Sequence, residues 1–485
     1  MTTMTTPTQD TTTFHVPTGL TLAERLERRY ADKDAFARHR ERNMQPEVIA
    51  ELREKIKAAG TEYIYYQIPT MQGRVVAKVV PAHHIETFLR KGIAMHRPAM
   101  ADLQTTREGE MVHGGVEAKE FWALPEPETF TTIPWDTSVA RIWCRAYEPL
   151  HFGDIGGSVL PTDVRALFKI AHEEFTDRHG LELRSGLEPE MTWVGSLAEV
   201  LVKDGASPAY LVENLERMRP VYKKIITYAH AMGFDMIQGD YEDDGQIELN
   251  WEFDQANLTA DRMTTYRQIC RQVARELDME ASFMPKPING KMGNGCHHNL
   301  SLWRGEENVV EDGRVELHAT DLAKNAIAGV LKHTPGAALI MNSTVNSYKR
   351  FWDVGQYVTM DLTWGLDGRD ATMRISANGR MEYRQPDASV NPYLSHTYIL
   401  AAMDDGITNN LDAGEPMGPV SDFAGLTVPR TMGEAIDAFE ADSFLMNTIP
   451  QELTSVYLDI KKDEWARYCS TLTEWEFTQY WATIP

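Results

Sequence analysis

The clearest pattern along the chain is an alternation of apolar and acidic residues in three segments. Between residues 181 and 194 the apolar side chains occupy odd positions, so Glu188 and Glu190 lie together on the opposite face. Residues 245–253 repeat this scheme with Glu248 on the polar face, and residues 380–384 repeat it with Glu382. A period of two predicts β-strands. Because strands of a buried parallel sheet are apolar on both faces, the acidic faces favour an antiparallel sheet in an α+β fold.

Helical periodicity marks other parts of the chain. Residues 163–179 predict an amphipathic helix that Thr162 could cap and Gly180 could end, and residues 261–278 predict another. A charged helical stretch covers residues 22–60, and two apolar runs around a turn at residues 70–73 predict a hairpin over residues 63–80. We therefore expect a disordered tail over residues 1–20, a small domain with a helical extension over 21–147, and a larger domain over 148–485.

Composition restricts the class of protein. The 485 residues include 48 Lys and Arg but 71 Asp and Glu, a net charge of −23, which argues against binding to nucleic acid or to an anionic membrane. The four cysteines are scattered, which suits a reducing compartment. There is no apolar run of about 18 residues and no signal-peptide pattern at the start. We expect a soluble cytoplasmic protein.

The acidic strands and an arginine group are the candidate chemistry. One polar strand face is most often a solvated surface, but three acidic faces around one cavity would repel each other unless cations lay between them, which predicts a hard-metal site. The loop over residues 289–303 contains three glycines and two histidines, a pattern that a flexible turn also explains. Five arginines at positions 350, 369, 374, 380 and 384 suit binding of phosphate or carboxylate, although a salt-bridged surface explains their spacing equally well.

Taken together, these segments resemble the glutamine synthetase family. The matching stretches, in family order, are GLEPEMTW, DGQIELNWEFD, FMPKPINGKMGNGCHHNLSLW, NSTVNSYKRF, ATMRIS and MEYRQPDASVNPYL. The resemblance runs from about residue 63 to the end of the chain. It implies an N-terminal β-grasp domain and a larger catalytic α/β domain with an antiparallel sheet. It also implies a homo-oligomeric ring, expected to be a dodecamer, in which neighbouring subunits share each active site.

The resemblance implies two or three Mg²⁺ or Mn²⁺ ions per site. One site would use Glu190, Glu248 and an acid upstream of Glu248, for which Asp240 is the first choice and Glu242 the rival. The other site would use three further residues, which are Glu188, His297 and Glu382.

The resemblance also implies sites for ATP and L-glutamate. Arg369, Arg374 and Arg384 match the arginines that stabilise the transferring phosphoryl group, and Ser301 and Asn299 lie in the ATP region. Arg350 matches the residue that binds the carboxylate of glutamate, and Gly293 matches a glycine of the glutamate loop. The implied reaction phosphorylates the γ-carboxylate of glutamate and lets an amine attack the γ-glutamyl phosphate.

The chain departs from the family where ammonia would bind. Family members that use ammonia have carboxylates at two places, which fall here at Thr70, in the loop of the β-grasp domain, and at Tyr357, on a flap. Asn299 also replaces a histidine of the family, which leaves some nucleotide contacts open. An alkylamine is a cation at neutral pH and needs a carboxylate, whereas an arylamine is largely neutral and needs an apolar slot.

The sequence therefore predicts a γ-glutamylamide synthetase for an aromatic amine such as aniline. Trp352 and Tyr357, with Tyr65 and Tyr66, could form the slot, although each alone is more typical of a core or an interface. The alternatives are a glutamine synthetase that uses ammonium, a synthetase for small alkylamines with Asp353 as a displaced base, and a non-catalytic scaffold.

Overall fold

The computed structural model describes residues 19–115, 117–197, 209–242, 245–352, 358, 360–417 and 427–482. Most of the predicted tail, residues 1–18, therefore lies outside the described residues. The charged stretch after it forms three helices, α1 (Leu22–Tyr30), α2 (Ala35–Asn43) and α3 (Pro46–Ala59). Gly60 ends α3 with a φ of 67°, a left-handed conformation that glycine adopts without strain.

The first sheet follows these helices. Its strands are β1 (Tyr63–Pro69), β2 (Val75–Pro81), β3 (Ile93–His96), β4 (Glu120–Pro125), β5 (Thr131–Thr132) and β6 (Val139–Tyr147), with helix α4 (Ile85–Lys91) between β2 and β3. The order is β2-β1-β6-β4-β3, and β5 pairs with β6. The predicted hairpin is β1 and β2, which pair antiparallel, whereas β1 and β6 pair in parallel.

The second sheet contains the acidic strands. Its strands are β7 (Glu182–Gly195), β8 (Met236–Tyr241), β9 (Gln246–Trp251), β10 (Asp254–Gln255), β11 (Met279–Ser282), β12 (Cys296–Arg304), β13 (Glu307–Asn308), β14 (Trp364–Leu366), β15 (Met373–Ala377) and β16 (Arg380–Tyr383). The order is β14-β15-β16-β12-β7-β9-β8, and β10, β11 and β13 pair at its sides. Among the described pairings only β14 and β15 are parallel, so the predicted antiparallel α+β fold is confirmed.

The remaining described helices follow β6 in the chain. They are α5 (Val164–His179), α6 (Val212–Ala231), α7 (Ala256–Glu276), α8 (Asp321–Met341), α9 (Pro392–Asn409), α10 (Met432–Ala441), α11 (Ser443–Thr448), α12 (Gln451–Cys469) and α13 (Glu474–Tyr480). The predicted cap of α5 was wrong by one residue. Asp163 caps the helix, because its carboxylate accepts hydrogen bonds from the backbone of Arg165 and Ala166. Gly180 ends it, as predicted.

One hydrophobic core orients the acidic strands. Met191 and Trp193 of β7 and Ile247 of β9 pack in the same buried cluster as Val221 of α6 and Tyr266 of α7. Since alternate residues of a strand face opposite sides, this packing turns the glutamates to the other face of the sheet. No helix in the described ranges is both long enough and apolar enough to cross a membrane.

Candidate active site

Three carboxylates lie in a row across neighbouring strands. Asp240 of β8 is paired with Glu248 of β9, and Glu248 is paired with Glu190 of β7. Directly opposed residues of antiparallel strands have Cα atoms about 4.5–5.5 Å apart. The register of three strands therefore brings together acids that are up to 58 positions apart in the sequence.

A second trio lies on β7, β12 and β16. His297 is paired with Glu188, and its Nδ1 lies 3.5 Å from Oε2 of Glu188 and 3.4 Å from Oε1 of Glu382. One ligand atom from each of the three residues falls within 4.8 Å of the others. Such a group could hold a divalent cation, and the assignment of individual metal ligands stays a prediction.

Burial and mutual repulsion raise the pKa values of two carboxyl groups in the row, those of Glu248 and Asp240. Burial, and then the charges of Glu188 and Glu190, raise the pKa of Glu248 well above its usual value and also raise the pKa of Asp240. Burial and the neighbouring Asp240 and Glu190 raise the pKa of Glu242 to about 7. Divalent cations would favour the ionised forms of these groups.

Glu188 behaves differently from the row. Burial alone would raise its pKa, but hydrogen bonds from His297 and Asn299 and the charge of His297 hold the pKa at about 2. The carboxylate of Glu188 is therefore ionised at neutral pH and is available to a cation.

The two rival acids are in contact with each other. Asp240 and Glu242 share a side-chain hydrogen bond, and Oδ1 of Asp240 is buried without a hydrogen-bond partner among the described residues. Both acids thus belong to the same site, and the choice between them stays a prediction. A set of carboxylates with one imidazole fits Mg²⁺ or Mn²⁺ better than Zn²⁺.

Three of the predicted arginines border these acids. Arg374 donates from Nη1 to Oε2 of Glu382 over 3.0 Å, and Arg384 donates to Oε1 of the same carboxylate. Arg369 is exposed, and its charge lowers the pKa of both Asp240 and Glu242. The arginine group is therefore part of the site rather than a remote surface network.

Arg350 presents hydrogen-bond donors that nothing in the described structure satisfies. It lies on the short 3₁₀ helix Ser347–Trp352 and is 4% exposed, and its Nε and Nη1 are buried without a partner among the described residues. Gly293 packs against it so closely that a Cβ there would lie 2.9 Å from Cγ of Arg350. A buried guanidinium with free donors is suited to a carboxylate ligand.

Gln246 is a connecting residue that the sequence reasoning missed. Its Nε2 donates to Oε2 of Glu190 over 3.1 Å and to the carbonyl of Gly293 over 2.8 Å. It thus joins the glutamate loop to the carboxylate row. Its place two residues before Glu248, on the same strand face, is the signal that could have identified it.

An aromatic platform beside Ser301 was also missed. Oγ of Ser301 accepts a hydrogen bond from Nε1 of Trp303 over 2.9 Å. The Trp303 ring stacks on Phe253 with centroids 6.0 Å apart, and the guanidinium of Arg184 lies 4.3 Å from its centroid. Asn299, by contrast, donates its amide to Oε1 of Glu188 over 2.9 Å, so this amide is directed at the acids.

Thr70 occupies the loop position where ammonia-using family members have a carboxylate, and its side chain is buried. Thr70 is fully buried, its carbonyl accepts from Nδ2 of Asn391 over 3.1 Å, and its hydroxyl hydrogen-bonds Asp102. Thr70 thus has no exposed surface in the single chain, and its contact with substrate stays a prediction. Asp102, whose pKa is raised by burial, is an acid at this loop that the sequence reasoning missed.

The predicted aromatic slot is not assembled by the described residues. Trp352 is 61% exposed, donates from Nε1 to the carbonyl of Arg430 over 3.1 Å, and lies under the guanidinium of Arg430. Tyr66 is fully buried in the core with Phe88. The remaining flap candidates, Tyr357 and Asp353, lie outside the described residues.

Comparison with known proteins agrees with the fold. The chain matches the family "Glutamine synthetase, catalytic domain" over residues 169–480. It is 32% identical over 456 residues to a glutamate–methylamine ligase of Methyloversatilis universalis, covering 89% of this chain and 98% of the relative. It is 30% identical over 434 residues to a glutamine synthetase of Rhizobium meliloti, covering 86% and 96%.

Solved structures give the same result. A GmaS/ADP complex superposes with a TM-score of 0.78 at 28% identity, covering 89% of this chain and 99% of that one. Ligand-free GmaS gives a TM-score of 0.77 at 29% identity, covering 88% and 98%. The fold and the match define a ligase with a glutamine synthetase catalytic domain. The chain belongs to the glutamine synthetase family, which confirms the predicted enzyme class, an ATP-dependent glutamate–amine ligase.

Proposed function

We propose that this enzyme joins an organic amine, rather than ammonium, to the γ-carboxylate of L-glutamate through γ-glutamyl phosphate. The observation that carries the proposal is the unsatisfied, buried guanidinium of Arg350 beside Gly293. This guanidinium could bind the carboxylate of glutamate. The place is close to the carboxylate row, because Gln246 donates both to Gly293 and to Glu190 of the row.

The acids around the row would hold two or three Mg²⁺ or Mn²⁺ ions. The proposed ligands are Glu188, Glu190, Asp240 or Glu242, Glu248, His297 and Glu382. When bound, these ions neutralise charge on the phosphates of ATP.

The arginines act on the group that is transferred. Arg374 and Arg384 are oriented by their hydrogen bonds to Glu382, so they need little reorganisation to stabilise charge on the phosphoryl oxygens. Arg369, on the exposed side, would meet the same group from the solvent.

The nucleotide base would stack on the aromatic platform. Phe253 is 42% exposed and stacks on Trp303, and Nε1 of Trp303 donates to Oγ of Ser301. Planar bases stack on such rings. The amide of Asn299 donates to Glu188, so Asn299 would act on the nucleotide site by orienting Glu188 and not by a direct hydrogen bond from this amide to ATP.

For the amine, we propose an aromatic amine such as aniline. An arylamine is largely neutral at pH 7, so it needs no carboxylate to bind or deprotonate it. The non-acidic, buried Thr70 at the loop position supports this choice. The contacts with the amine would then come from the flap that begins at Trp352, including Tyr357.

A small alkylamine such as methylamine is the second candidate. It is favoured by the 32% identity to a glutamate–methylamine ligase. It is also favoured by Asp102, since an alkylammonium ion needs a carboxylate and this one is hydrogen-bonded to Thr70 at the expected loop.

We also propose that the enzyme is a cytoplasmic homo-oligomeric ring, a dodecamer with shared active sites. Its subunits would have an N-terminal unit over residues 21–147 and a catalytic unit over 148–485. Three aromatic residues near the end of the chain, Trp475, Phe477 and Trp481, are 62%, 56% and 77% exposed, and such clusters are typical of interfaces. Three of the four cysteines are buried free thiols, which suits a reducing compartment.

The test measures phosphate release from ATP with glutamate and Mg²⁺ at pH 7, comparing ammonium, methylamine and aniline in the wild type and in D102N. We expect strong stimulation by aniline, little by ammonium, and a γ-glutamylanilide mass in the product. Stimulation by methylamine that D102N abolishes would establish the alkylamine enzyme instead. Preference for ammonium in both proteins would overturn the proposal.

A further inference from the structure

A basic cavity of about 370 Å³ lies where the turn after β1 meets α7, α12 and the loop after β11. Four of its lining residues are cations, Arg74, Arg267, Arg271 and Lys461, and none of the lining residues is acidic. Positive charge is thus concentrated at one place in a chain whose net charge is −23. None of the residues proposed for metal, ATP or glutamate lines this cavity.

One buried cation of the cavity, Arg267, has no carboxylate ion-pair partner among the described residues. Arg267 is 6% exposed, and its Nη2 donates to the carbonyls of Ala388 and Val390 over 2.6 and 2.7 Å. Its Nε is buried without a hydrogen-bond partner among the described residues. A buried charge that is bonded only to carbonyls is stabilised when an anion reaches it.

A second arginine lies beside the first. The Cζ atoms of Arg267 and Arg271 lie 5.7 and 5.8 Å from the ring centroid of Phe283. No carboxylate of the described residues forms an ion pair with either arginine. Burial lowers the pKa of both groups, and the pKa of Arg267, about 10, still leaves it charged at neutral pH. The charge of Arg271 also lowers the pKa of Arg267, so the two guanidinium groups are neighbours, and neighbouring guanidinium groups favour binding of an oxyanion.

The remaining walls add weaker donors. Arg74 is exposed and lies 3.8 Å from Asp102, and Lys461 already donates to Glu464 over 3.1 Å. The hydroxyls of Ser343 and Ser389, 3.1 Å apart, also line the cavity. Guanidinium and hydroxyl donors around one space are the groups that bind carboxylate and phosphate oxygens.

We propose that this cavity binds a small, multiply charged oxyanion, a dicarboxylate or a phosphate, between Arg267, Arg271 and Arg74. The bound anion would join the N-terminal hairpin to α7. Through Met284, whose carbonyl accepts from Nδ2 of Asn294 over 2.8 Å, it would also brace the glutamate loop.

The experiment is a calorimetric titration of the full-length protein, freed of metal on a chelating resin, with no soluble chelator and no nucleotide present. The probes are succinate and inorganic phosphate, with sodium chloride at equal ionic strength and the neutral diamide succinamide as controls. Phosphate or succinate should bind at one site per chain, and the preferred probe identifies the class of anion.

Matched variants locate the site. R271Q should weaken binding at least about tenfold and R74Q a few-fold, because each removes a charged donor. R275Q, on the same helix but outside the cavity lining, should bind as the wild type does. If R271Q does not fold, R74Q is the variant to measure, because Arg74 is exposed and its replacement should not disturb folding.

Three results would overturn the proposal. The first is binding of the probes no stronger than that of chloride. The second is equal affinity in the wild type, R74Q and R271Q. The third is binding that R350Q abolishes and R271Q leaves unchanged, which would place the anion in the glutamate site. Because the readout is binding without ATP or amine, failure here is distinct from failure of the proposed activity.

Discussion

Glu190 and Glu248 are held directly opposite each other on neighbouring antiparallel strands. Register alone enforces this approach of two like charges, and the amide of Asn250 donates to Oε1 of Glu248 over 2.8 Å without neutralising it. The cation-free row is therefore under electrostatic strain that a divalent cation would relieve. The first two predictions test this directly.

Replacing Glu248 should abolish the stabilisation of the protein by metal without lowering the stability of the metal-free protein. In E248Q the metal-free protein should melt at the same temperature as the wild type or higher, because a charge repulsion is removed. Its melting temperature should no longer rise with MgCl₂ or MnCl₂ as that of the wild type does. Thermal melts with and without metal check this, with E252Q, exposed just beyond β9, as the control. A wild-type metal response in E248Q would show that Glu248 is not a ligand.

The raised pKa of Glu242 should make the free energy of unfolding of the metal-free protein depend on pH. Its pKa is raised in the folded state from 4.5 to about 7, so its contribution to the free energy of unfolding is complete below about pH 4.5. That contribution is lost as the pH rises through 7, and it amounts to about 1–2 kcal/mol after allowance for screening by solvent.

The comparison is made between the metal-free wild type and E242Q. Denaturant unfolding at several values between pH 5 and 8 should show the wild type losing stability relative to E242Q as the pH rises. Mg²⁺ should remove this difference, because it favours the ionised carboxylate. Parallel pH profiles of the two metal-free proteins would contradict the prediction.

Arg350 should control the affinity for glutamate. Because R350Q removes the unsatisfied guanidinium, we expect the KM for glutamate to rise about tenfold to a hundredfold while the KM for ATP changes little. Initial rates with each substrate varied check this. The neighbouring K349Q is the control, since Lys349 is exposed and its Nζ donates to the hydroxyl of Tyr468 over 3.3 Å. An unchanged KM for glutamate in R350Q would remove Arg350 from the site.

Gly293 should be sensitive to a single methyl group. In G293A the new Cβ would lie 2.8 Å from the carbonyl of Pro285 and 2.9 Å from Cγ of Arg350, so the loop or the arginine must move. We expect the KM for glutamate to rise severalfold with little change in melting temperature. G153A is the matched control, because no atom lies within 4 Å of a Cβ at Gly153. Identical kinetics of both variants would show that the loop accommodates the methyl group.

The exposed aromatic residues near the end of the chain should hold the proposed ring together. A triple substitution of Trp475, Phe477 and Trp481 by serine should yield a smaller species, because it removes an exposed apolar cluster. Light scattering after size exclusion measures the mass. V315S, which removes a single apolar residue that is 91% exposed, is the control. An unchanged mass of the triple variant would place the interface elsewhere.

Local patterns predicted the local structure well and the long-range contacts less well. The strand predicted over residues 181–194 is β7, Glu182–Gly195, because the pleat alone determines which side chains share a face. The cap at Asp163 rather than Thr162, and the parallel pairing of β1 with β6, depend on backbone geometry and distant segments that periodicity does not encode. Tyr66 of the predicted aromatic slot is a core residue, which periodicity alone does not reveal, and the slot itself stays a prediction because Tyr357 lies outside the described residues.

The alternation of apolar and acidic residues was enough to predict that Glu188 and Glu190 share one face of a strand and that Glu248 lies on the polar face of another. It did not predict that β9 and β12 flank β7 in a register that sets Glu248 against Glu190 and His297 against Glu188, which is a property of the folded chain. Alternation is a property of each strand's own pleat. Register follows from hydrogen bonding between segments far apart in the chain and from the helices that pack on the apolar face.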